Sequence, residues 1–413
     1  SRRRIDVEAG LCVFEVKRDL RKGNVRAEAI DQLAGYVASR TRDMEQRYVG
    51  VLTDGAEWHL YYLLDGSLAL VSSFMLESVK PDVDGLCVWM EGVLATAEKI
   101  TPTPHEINRR LGAVSPGFAL DAADIKALYE RNRNHPGVRL KRELWARLLT
   151  TAFGTGFADS DELFINHTFL VVTAEIVAHA VMGFDPTAQD ISAATILSGQ
   201  LFTEAQVSGV VDADFFDWLL EVDGGAVFVK SVARRLSRFS WKDVEHDVLK
   251  VLYESVISTA QRKSLGEYYT PDWLAEQVVL ATVTDPLVQR VLDPACGSGT
   301  FLFHSIRRYL AAAAQAGMDD AAALVGVTAH VFGMDIHPVA VTFARVTYLL
   351  AIGAERLRAP DRPPLSVPVY LGDSIQWGQE QTLFDSNAIV IPTTGSGGLW
   401  ATDLRFPIGI VSD

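Results

Sequence analysis

Apolar and polar residues follow three successive patterns along the chain. From residue 1 to about 100, short apolar runs are mixed with a helical repeat, which predicts a small mixed α/β unit. From 101 to 260 apolar residues recur mostly at helical spacing, which predicts an all-helical connector. From 261 to 413 apolar strands alternate with helices, which predicts a parallel, doubly wound sheet. We therefore expect an α/β protein of three domains.

The first region has strand signals at Cys12–Val16, 48–53 and 58–63, and helix signals at 25–40 and 83–99. Asp54-Gly55 separates the last two strands, and this dipeptide favours a hairpin turn. The sequence Thr101-Pro-Thr-Pro104 then interrupts the pattern and marks a domain boundary.

The second region predicts helices at 121–131, 141–153, 161–181, 190–197 and 241–259. Its histidines, His167, His179 and His246, stand alone in the sequence, so we interpret them as core or surface residues. The apolar run from 169 to 182 contains Glu175 and His179, which favours a core helix over a membrane span. No chemical motif is visible in this region.

The third region predicts a strand ending at Leu292, helices at 299–316 and 338–352, and strands at 331–334 and 367–371. Parallel strands of such a sheet end at one edge, and ligands bind there.

Composition limits the classes of protein. Apolar residues make up 48% and charged residues 22% of the 413, as in globular proteins. The three cysteines are far apart, which favours a reducing, cytoplasmic location. A net charge of −14 argues against wrapping DNA over the whole surface, although a basic footprint can be local. Residues 1–50 carry 11 Lys/Arg against 8 Asp/Glu, a weak local excess.

A glycine loop, Asp293-Pro-Ala-Cys-Gly-Ser-Gly299, follows an apolar strand and opens a helix. Its glycines allow close approach of a ligand and positive φ. The next strand ends at Asp335, whose carboxylate suits the two hydroxyls of a ribose, and the following one ends near Asp373. A dinucleotide fingerprint would need a third glycine where Leu302 stands and an acidic residue about 20 positions on. A phosphate-binding Gly-Lys-Ser/Thr is absent from the sequence.

These motifs resemble those of N6-adenine DNA methyltransferases of restriction–modification systems. Gly266-Glu-Tyr-Tyr-Thr-Pro271, the glycine loop, Gly333-Met-Asp-Ile-His-Pro338 and Leu371-Gly-Asp-Ser374 occur in that family's order over residues 264–376. The resemblance implies a Rossmann-like fold that binds S-adenosylmethionine. The implied cofactor-binding residues are Tyr269, Thr270 and Pro271 around the methionine, Asp293, Ala295, Gly297 and Gly299 at its amino-acid end, Asp335 and Ile336 at the ribose, and Asp373 and Ser374 at the adenine.

One departure from the family concerns the catalytic motif. The Asn/Asp-Pro-Pro-Tyr/Phe that holds a flipped adenine does not occur among these residues. The chain begins with Ser-Arg-Arg-Arg and ends at Ile408–Asp413 within an incomplete sheet. We therefore expect the motif beyond Asp413, the alternative being a cofactor-binding relic.

Near the amino terminus, Asp6, Glu15 and Lys17 form an Asp-x8-Glu-x-Lys pattern. Glu15 and Lys17 point to one side of a strand, and Asp6 can come from its neighbour. Two carboxylates, Asp6 and Glu15, can bind Mg²⁺, which with the lysine activates water against a phosphodiester. A lone Glu-x-Lys is common by chance, and a solvated strand face is the simpler interpretation.

Gln32 and Tyr36 follow one turn apart on a helix. Residues 5–65 therefore resemble the nucleases of Type I restriction subunits, whose Asp…Glu-x-Lys core is accompanied by Gln-x-x-x-Tyr. The resemblance implies a PD-(D/E)xK nuclease-like domain with Asp6, Glu15, Lys17, Gln32 and Tyr36 in its catalytic site.

Together the two ends resemble bifunctional restriction–modification and phage-defence enzymes. This implies adenine methylation with S-adenosylmethionine, DNA cleavage with Mg²⁺, double-stranded DNA as partner, and no membrane. Two alternatives stay open. One is a methyltransferase subunit of a multi-subunit defence system with an inert first domain, and the other is a non-catalytic scaffold that senses the cofactor. The sequence does not define the DNA target, partner subunits or oligomeric state.

Overall fold

The computed structural model describes residues 5–44, 47–64, 66–94, 99–153, 157–212, 214–242, 244, 246–264, 267–374, 388–391 and 404–407. The amino-terminal region forms a five-stranded sheet of β1 (Val7–Ala9), β2 (Cys12–Val16), β3 (Val49–Thr53), β4 (Glu57–Leu64) and β5 (Ser67–Met75), in that spatial order. β2 and β3 are parallel and the other pairs are antiparallel. Helix α1 (Val25–Met44) packs on one face, and α2 (Val83–Leu94) packs on the other.

The predicted strands and the Asp54-Gly55 hairpin of this region are confirmed. β5 was not predicted, because it is an edge strand whose apolar residues lie on both faces. Its Leu70 is 54% and its Met75 59% exposed, so the inside–outside alternation is weak. The predicted helix over 83–99 ends at Leu94, and residues 95–98 lie outside the described part.

The middle region is helical, as predicted. It contains α3 (Pro104–Leu111), α4 (Pro116–Asn132), α5 (Pro136–Phe153), α6 (Asp161–Met182), α7 (Ala193–Leu197), α8 (Gln200–Glu204), a short strand β6 (Val207–Ser208), a 3₁₀ helix (Phe216–Glu221), α9 (Gly225–Leu236), α10 (Val248–Val256) and α11 (Thr259–Ser264). Thr103 and Ser115 cap α3 and α4, and a proline follows each cap. Proline is favoured there because the first helical N–H has no partner within the helix.

Two predicted helices of this region were too long. The helix predicted over 241–259 begins only at Val248, because the Asp247 side chain accepts the Lys250 N–H and so starts the helix. It ends where Ile257 becomes extended, and α11 follows. Likewise the helix predicted over 190–197 begins at Ala193, where Ser192 caps it.

Helix α6 is the core of the middle region. Among the described residues it is the one helix whose length and composition would allow a membrane crossing. Its most apolar window is 89% buried within the protein, and even Glu175 and His179 are buried. The prediction of a core helix is therefore confirmed.

The carboxyl-terminal region contains α12 (Asp272–Thr282), β7 (Val291–Asp293), α13 (Thr300–Gln315), α14 (Asp320–His330), β8 (Val331–Asp335), α15 (Pro338–Ile352), α16 (Ala354–Leu357), β9 (Leu365–Ser366), β10 (Val369–Leu371), β11 (Ala388–Ile391) and β12 (Leu404–Pro407). β7, β8 and β10 form a parallel sheet in the order β10-β8-β7, which agrees with the predicted α/β arrangement. β11 and β12 pair with each other in antiparallel fashion.

The middle and carboxyl-terminal regions share one hydrophobic core. Leu170 of α6, Leu252 of α10, Phe303 of α13 and Val346 of α15 all belong to a single cluster of buried residues. β6 also pairs in parallel with β9, across the same junction. The helical region is therefore continuous in packing with the parallel sheet.

The amino-terminal sheet contacts the helical region through buried ionic groups. Arg235 of α9 donates to the carbonyl of Gly92, in α2 of the amino-terminal region, at 3.1 Å. The same guanidinium donates to both oxygens of Asp121, a residue of the helical region itself, at 2.8 and 2.9 Å. Tyr62 of β4 donates to Asp124 at 2.9 Å, and Arg47 pairs with the same carboxylate. Such paired, hydrogen-bonded charges are tolerated inside a protein where single charges are not.

Candidate functional site

The glycine loop lies between the end of β7 and the start of α13. Gly297 has φ +53° and Gly299 φ +95°, both in the left-handed region. A Cβ on Gly299 would stand 3.1 Å from the Ala344 backbone Cα of α15. The loop therefore needs glycine at position 299 for both conformation and space.

Replacing Gly299 by alanine is expected to lower the melting temperature more than replacing Gly317 does. Gly317 also has positive φ, +71°, but a Cβ there meets no atom within 4 Å. Both variants incur the left-handed strain of about 1–2 kcal/mol, and only Gly299→Ala adds crowding against Ala344. Thermal unfolding of the two variants measures the difference, and equal shifts would contradict the close packing of the loop.

Asp335 fixes the loop to the end of β8. Its Oδ2 accepts the N–H of Gly297 at 2.8 Å, and its Oδ1 accepts the N–H of His337 at 2.8 Å. The N–H of Cys296 also donates to the carbonyl of Met334 at 2.9 Å. Burial raises the pKa of Asp335, although the two N–H donors oppose that rise. Ile336 follows directly and is partly buried.

Asp293, at the end of β7, holds an unsatisfied carboxylate oxygen. Its Oδ1 accepts the N–H of Ala295 at 3.3 Å, whereas its buried Oδ2 has no hydrogen-bond partner. Burial raises the pKa of Asp293, and the negative charge of Asp335 raises it further. Buried acceptors are normally paired, so this oxygen is an acceptor that a ligand donor could satisfy.

The segment 267–271 covers the loop. The ring of Tyr269 lies 3.5 Å from where a Cβ of Gly297 would be, and it packs on Tyr253 at 5.6 Å between centroids. Thr270 is partly buried, and Pro271 is exposed at the start of α12. The structure thus brings the Tyr269 motif and the glycine loop together, although Tyr269 and Gly297 are 28 residues apart in the chain. Gly266 lies outside the described residues.

The third strand end lies beside Asp335. Leu371 of β10 pairs with Asp335, and the N–H of Gly372 donates to the Asp335 carbonyl at 2.9 Å. Asp373 and Ser374 follow and are partly buried, and both have partners of their own. The predicted cofactor residues therefore lie along one sheet edge, apart from 267–271, which comes from a preceding segment.

The sequence analysis gave no role to five further residues of this site: Asp247, Lys250, Tyr253, Glu267 and His337. Glu267 and His337 stand within the quoted motifs but were not among the implied cofactor-binding residues. The other three lie on α10 or at its start, in a region where no chemistry was predicted. The one feature of the sequence that points to them is that these polar residues recur every three positions within an otherwise apolar helix. Such a stripe predicts buried polar contacts but not their partners.

Glu267 is a partly buried carboxylate beside the predicted cofactor residues. Both of its oxygens accept from the Tyr253 hydroxyl at 2.8 Å, and His337 Nε2 lies 3.4 Å from its Oε1. Burial raises the pKa of Glu267 to about 7, with Asp335 adding to the rise. Burial also lowers the pKa of His337 to about 3, so this ring is neutral at pH 7.

The raised pKa of Glu267 predicts a pH-dependent stability. Between about pH 4.5 and 7 the folded state keeps the proton that the unfolded state loses, so stability falls as pH rises. Replacing Glu267 by glutamine removes the ionisable group, and with it this decrease in the free energy of unfolding as the pH rises. The variant should gain up to about 3 kcal/mol over the parent between pH 4.5 and 8 in urea unfolding. Glu276→Gln, an exposed change on α12, serves as control, and parallel curves for parent and Glu267→Gln would contradict the prediction.

The amino-terminal candidate residues also come together. Asp6 precedes Val7, which pairs with Phe14, so the register sets Asp6 opposite Glu15. The Asp6 carboxylate accepts the N–H of Val16 at 2.9 Å, and the ammonium of Lys17 contacts Glu15 Oε1. Glu15 is fully buried, and its Oε2 has no hydrogen-bond partner.

Gln32 and Tyr36 lie on α1, and the Gln32 amide donates to the Tyr36 hydroxyl at 3.0 Å. Within the part of the chain that the structure describes, no hydrogen bond joins either residue to Glu15 or Lys17. No group of three or more His, Cys, Asp or Glu residues with metal-binding geometry occurs among the described residues. The residues brought together here are therefore two carboxylates and a lysine, Asp6, Glu15 and Lys17. Gln32 and Tyr36 lie on a separate helix and are hydrogen-bonded to each other.

A basic loop follows Lys17. Arg18, Arg21 and Lys22 are exposed, while Leu20 is buried beneath them and its N–H donates to Asp54 at 3.0 Å. The local excess of basic residues noted in the sequence is thus partly concentrated beside Glu15 and Lys17. An exposed group of cations is suited to phosphate oxygens.

One comparison with known proteins matches the part of the chain that contains most of the candidate cofactor residues. Residues 244–356 match the family model described as N-6 DNA Methylase. Over 144 residues the chain is 33% identical to the adenine-specific methyltransferase PglX of Streptomyces coelicolor, a match that covers 32% of this chain and 12% of that protein. Residues 244–356 are therefore similar to N6-adenine DNA methyltransferases, and the chain spans about an eighth of the length of this curated relative.

Solved structures show only weak similarity. A DrdV–DNA complex is 13% identical, with 88% of this chain and 33% of that chain covered and a TM-score of 0.39. A nuclease-deletion mutant of the Type ISP restriction-modification enzyme LlaGI is 14% identical, with 68% and 23% covered and a TM-score of 0.35. Neither score is high enough to support a functional assignment.

Proposed function

We propose that residues 244–374 bind S-adenosylmethionine as the cofactor-binding part of an N6-adenine DNA methyltransferase of the restriction–modification type. The observation that carries this proposal is the glycine loop held between Asp293 and Asp335, with a buried Asp293 oxygen that lacks a donor. S-adenosylmethionine has an ammonium group that can supply that donor. Its sulfonium charge also suits an edge with two carboxylates.

The roles follow from position along the sheet edge. Asp293, Ala295, Gly297 and Gly299 would hold the amino-acid end, and Tyr269, Thr270 and Pro271 would cover the methionine. Asp335 retains lone pairs for the ribose hydroxyls beyond its two backbone bonds. Ile336 would lie beside the ribose with Asp335, and Asp373 and Ser374 would contact the adenine ring. When bound, the cofactor supplies an electrophilic methyl group to the substrate amine.

Two measurements test this proposal. Calorimetry should show that the 413-residue chain binds S-adenosylmethionine, and absence of binding would contradict it. A chain that also contains an Asn-Pro-Pro-Tyr-like motif should transfer methyl groups to adenine in double-stranded DNA. Binding without transfer by such a chain would favour the cofactor-sensing scaffold.

We further propose that residues 5–75 form a Mg²⁺-dependent DNA nuclease. The residues present fit the metal, because Glu15 has a buried, unpartnered oxygen and Asp6 lies opposite it. Mg²⁺ commonly takes one or two carboxylates and completes its coordination with water. Lys17 would polarise the attacking water or the phosphate, and the exposed Arg18, Arg21 and Lys22 would contact the DNA backbone.

One observation favours an inert first domain in a methyltransferase subunit instead. Gln32 and Tyr36 are bonded to each other, whereas the resemblance implies that both support the catalytic residues. A cleavage assay with Mg²⁺ and plasmid DNA distinguishes an active nuclease domain from an inert one. Cleavage would support the bifunctional enzyme, and its absence from a chain that methylates DNA would support the subunit.

A further inference from the structure

Helix α10 presents a stripe of buried polar residues toward the carboxyl-terminal region. Asp247 at its start, Lys250 and Tyr253 are spaced by three residues and are 2%, 7% and 1% exposed. Apolar residues such as Leu249 and Leu252 lie between them in the shared core. Aspartate and lysine are rarely buried without specific partners.

The two oxygens of Asp247 have different partners. Oδ1 accepts the Lys250 N–H at 3.1 Å, which caps the helix. Oδ2 accepts the hydroxyls of Ser298 at 2.6 Å and Thr300 at 2.8 Å. Ser298 and Thr300 flank Gly299, so this carboxylate holds the glycine loop. Capping α10 would need only the first of these oxygens.

Lys250 and Tyr253 hold the other cofactor segment. The Lys250 ammonium donates to the Thr270 carbonyl at 2.8 Å. The Tyr253 hydroxyl donates to Glu267, and its ring packs on Tyr269. One face of a single helix therefore contacts both the glycine loop and the segment 267–271.

We propose that α10 is a positioning element of the cofactor site, in which Asp247 and Lys250 keep the glycine loop and the 267–271 segment at a fixed separation. This inference rests on the proposed binding of S-adenosylmethionine. Both side chains are buried behind the loop and the segment, so they act through these parts and do not touch the cofactor. The functional unit consequently includes a helix of the region predicted as a connector. Supporting groups of this kind typically change affinity by about 10- to 100-fold when they are removed.

The test uses the full 413-residue chain, calorimetric titration with S-adenosylmethionine, and thermal unfolding. Asp247→Ser retains a capping oxygen but cannot also hold Ser298 and Thr300, so the dissociation constant should rise about tenfold or more. Asp247→Asn keeps two polar atoms and should lie between the serine variant and the parent. Lys250→Met should weaken binding by a similar factor to Asp247→Ser.

Matched controls separate positioning from general stability. Asp319→Ser changes a capping aspartate of α14, whose side chain accepts the Ala322 N–H. Lys230→Met removes an ammonium that donates to three carbonyls of the helical region, those of Pro186, Ala188 and Ile191. Asp319→Ser retains a capping oxygen and should leave the melting temperature close to that of the parent, whereas Lys230→Met should lower it. Both controls should leave the dissociation constant within about twofold of the parent.

A double-mutant cycle gives a second, independent measurement. Ser298→Ala and Asp247→Ser remove the same bond, so their effects on affinity should not add. If Asp247→Ser fails to fold, Ser298→Ala combined with Thr300→Val removes the same contacts from the loop side, and the same loss is expected. Unchanged affinity in these variants would overturn the positioning role alone. Failure of the parent chain to bind would instead overturn the proposed function and, with it, this inference.

Discussion

Replacing Asp335 by alanine is expected to raise the dissociation constant for S-adenosylmethionine at least about a hundredfold. The carboxylate holds Gly297 and His337 by backbone N–H groups, and in the proposed complex it also accepts the ribose hydroxyls. Hydrogen bonds to a charged group contribute about 1.5–3 kcal/mol each, and 1.4 kcal/mol corresponds to a factor of ten. Two ribose bonds alone would therefore account for this loss. Titration calorimetry of the variant and its parent measures it.

The control for this variant is Asp320→Ala. Asp320 is an exposed carboxylate at the start of α14 that pairs with Arg356. Its removal should leave cofactor affinity unchanged, since it lies on a surface helix away from the sheet edge. Asp335→Asn, which keeps one acceptor oxygen, should bind more tightly than Asp335→Ala. Parent-like affinity in the alanine variant would show that the cofactor does not use this carboxylate.

Replacing Glu15 by glutamine is expected to reduce Mg²⁺-dependent DNA cleavage at least about a hundredfold. A bound metal stabilises the charge that develops in phosphodiester hydrolysis by several kcal/mol, and a carboxylate is needed to hold it. Glutamine has the same shape as glutamate but lacks the negative charge. Lys17→Ala should produce a loss of similar size, because the Lys17 ammonium contacts Glu15 and would polarise the attacking water or the phosphate. Plasmid nicking with Mg²⁺ present or chelated gives the measurement.

Glu8→Gln is the matched control for the nuclease variants. Glu8 lies on β1, next to the same site, but its side chain pairs with Arg40 of α1. Cleavage by this variant should match that of the parent. Cleavage that survives both Glu15→Gln and Lys17→Ala would refute the assignment of a nuclease site to these residues.

The two proposed activities are separable in these experiments. Cofactor affinity reports on the edge of the parallel sheet, and cleavage reports on the amino-terminal sheet. The contacts of Tyr62 and Arg47 with Asp124 join the amino-terminal region to the helical region. Variants at either site should therefore be compared with the parent for melting temperature before their activities are interpreted.

Local patterns in the sequence were sufficient for much of the fold. The strand at Cys12–Val16 and the helix at Pro338–Ile352 were predicted with the bounds that the structure shows. The glycine loop was identified because its requirement for positive φ is a local backbone property that only glycine meets at little cost. Asp335 was identified for a similar reason, since it stands at the end of an apolar strand.

Tertiary structure decided which polar residues support these motifs. Asp247 is 51 residues from Ser298 in the chain, yet their side chains are 2.6 Å apart. Such a contact depends on how α10 packs against α13 and α15, and hydrophobic periodicity gives the face of a helix but not its neighbour. Helix α10 was assigned to the connector because it lies before the predicted boundary at residue 261. Polar residues at a spacing of three on this helix do not reveal which residues they contact. Local sequence patterns predicted most of the helices and strands and the candidate cofactor motifs, because both depend on neighbouring residues. Packing between residues far apart in the chain established how the parts of the candidate site are held together.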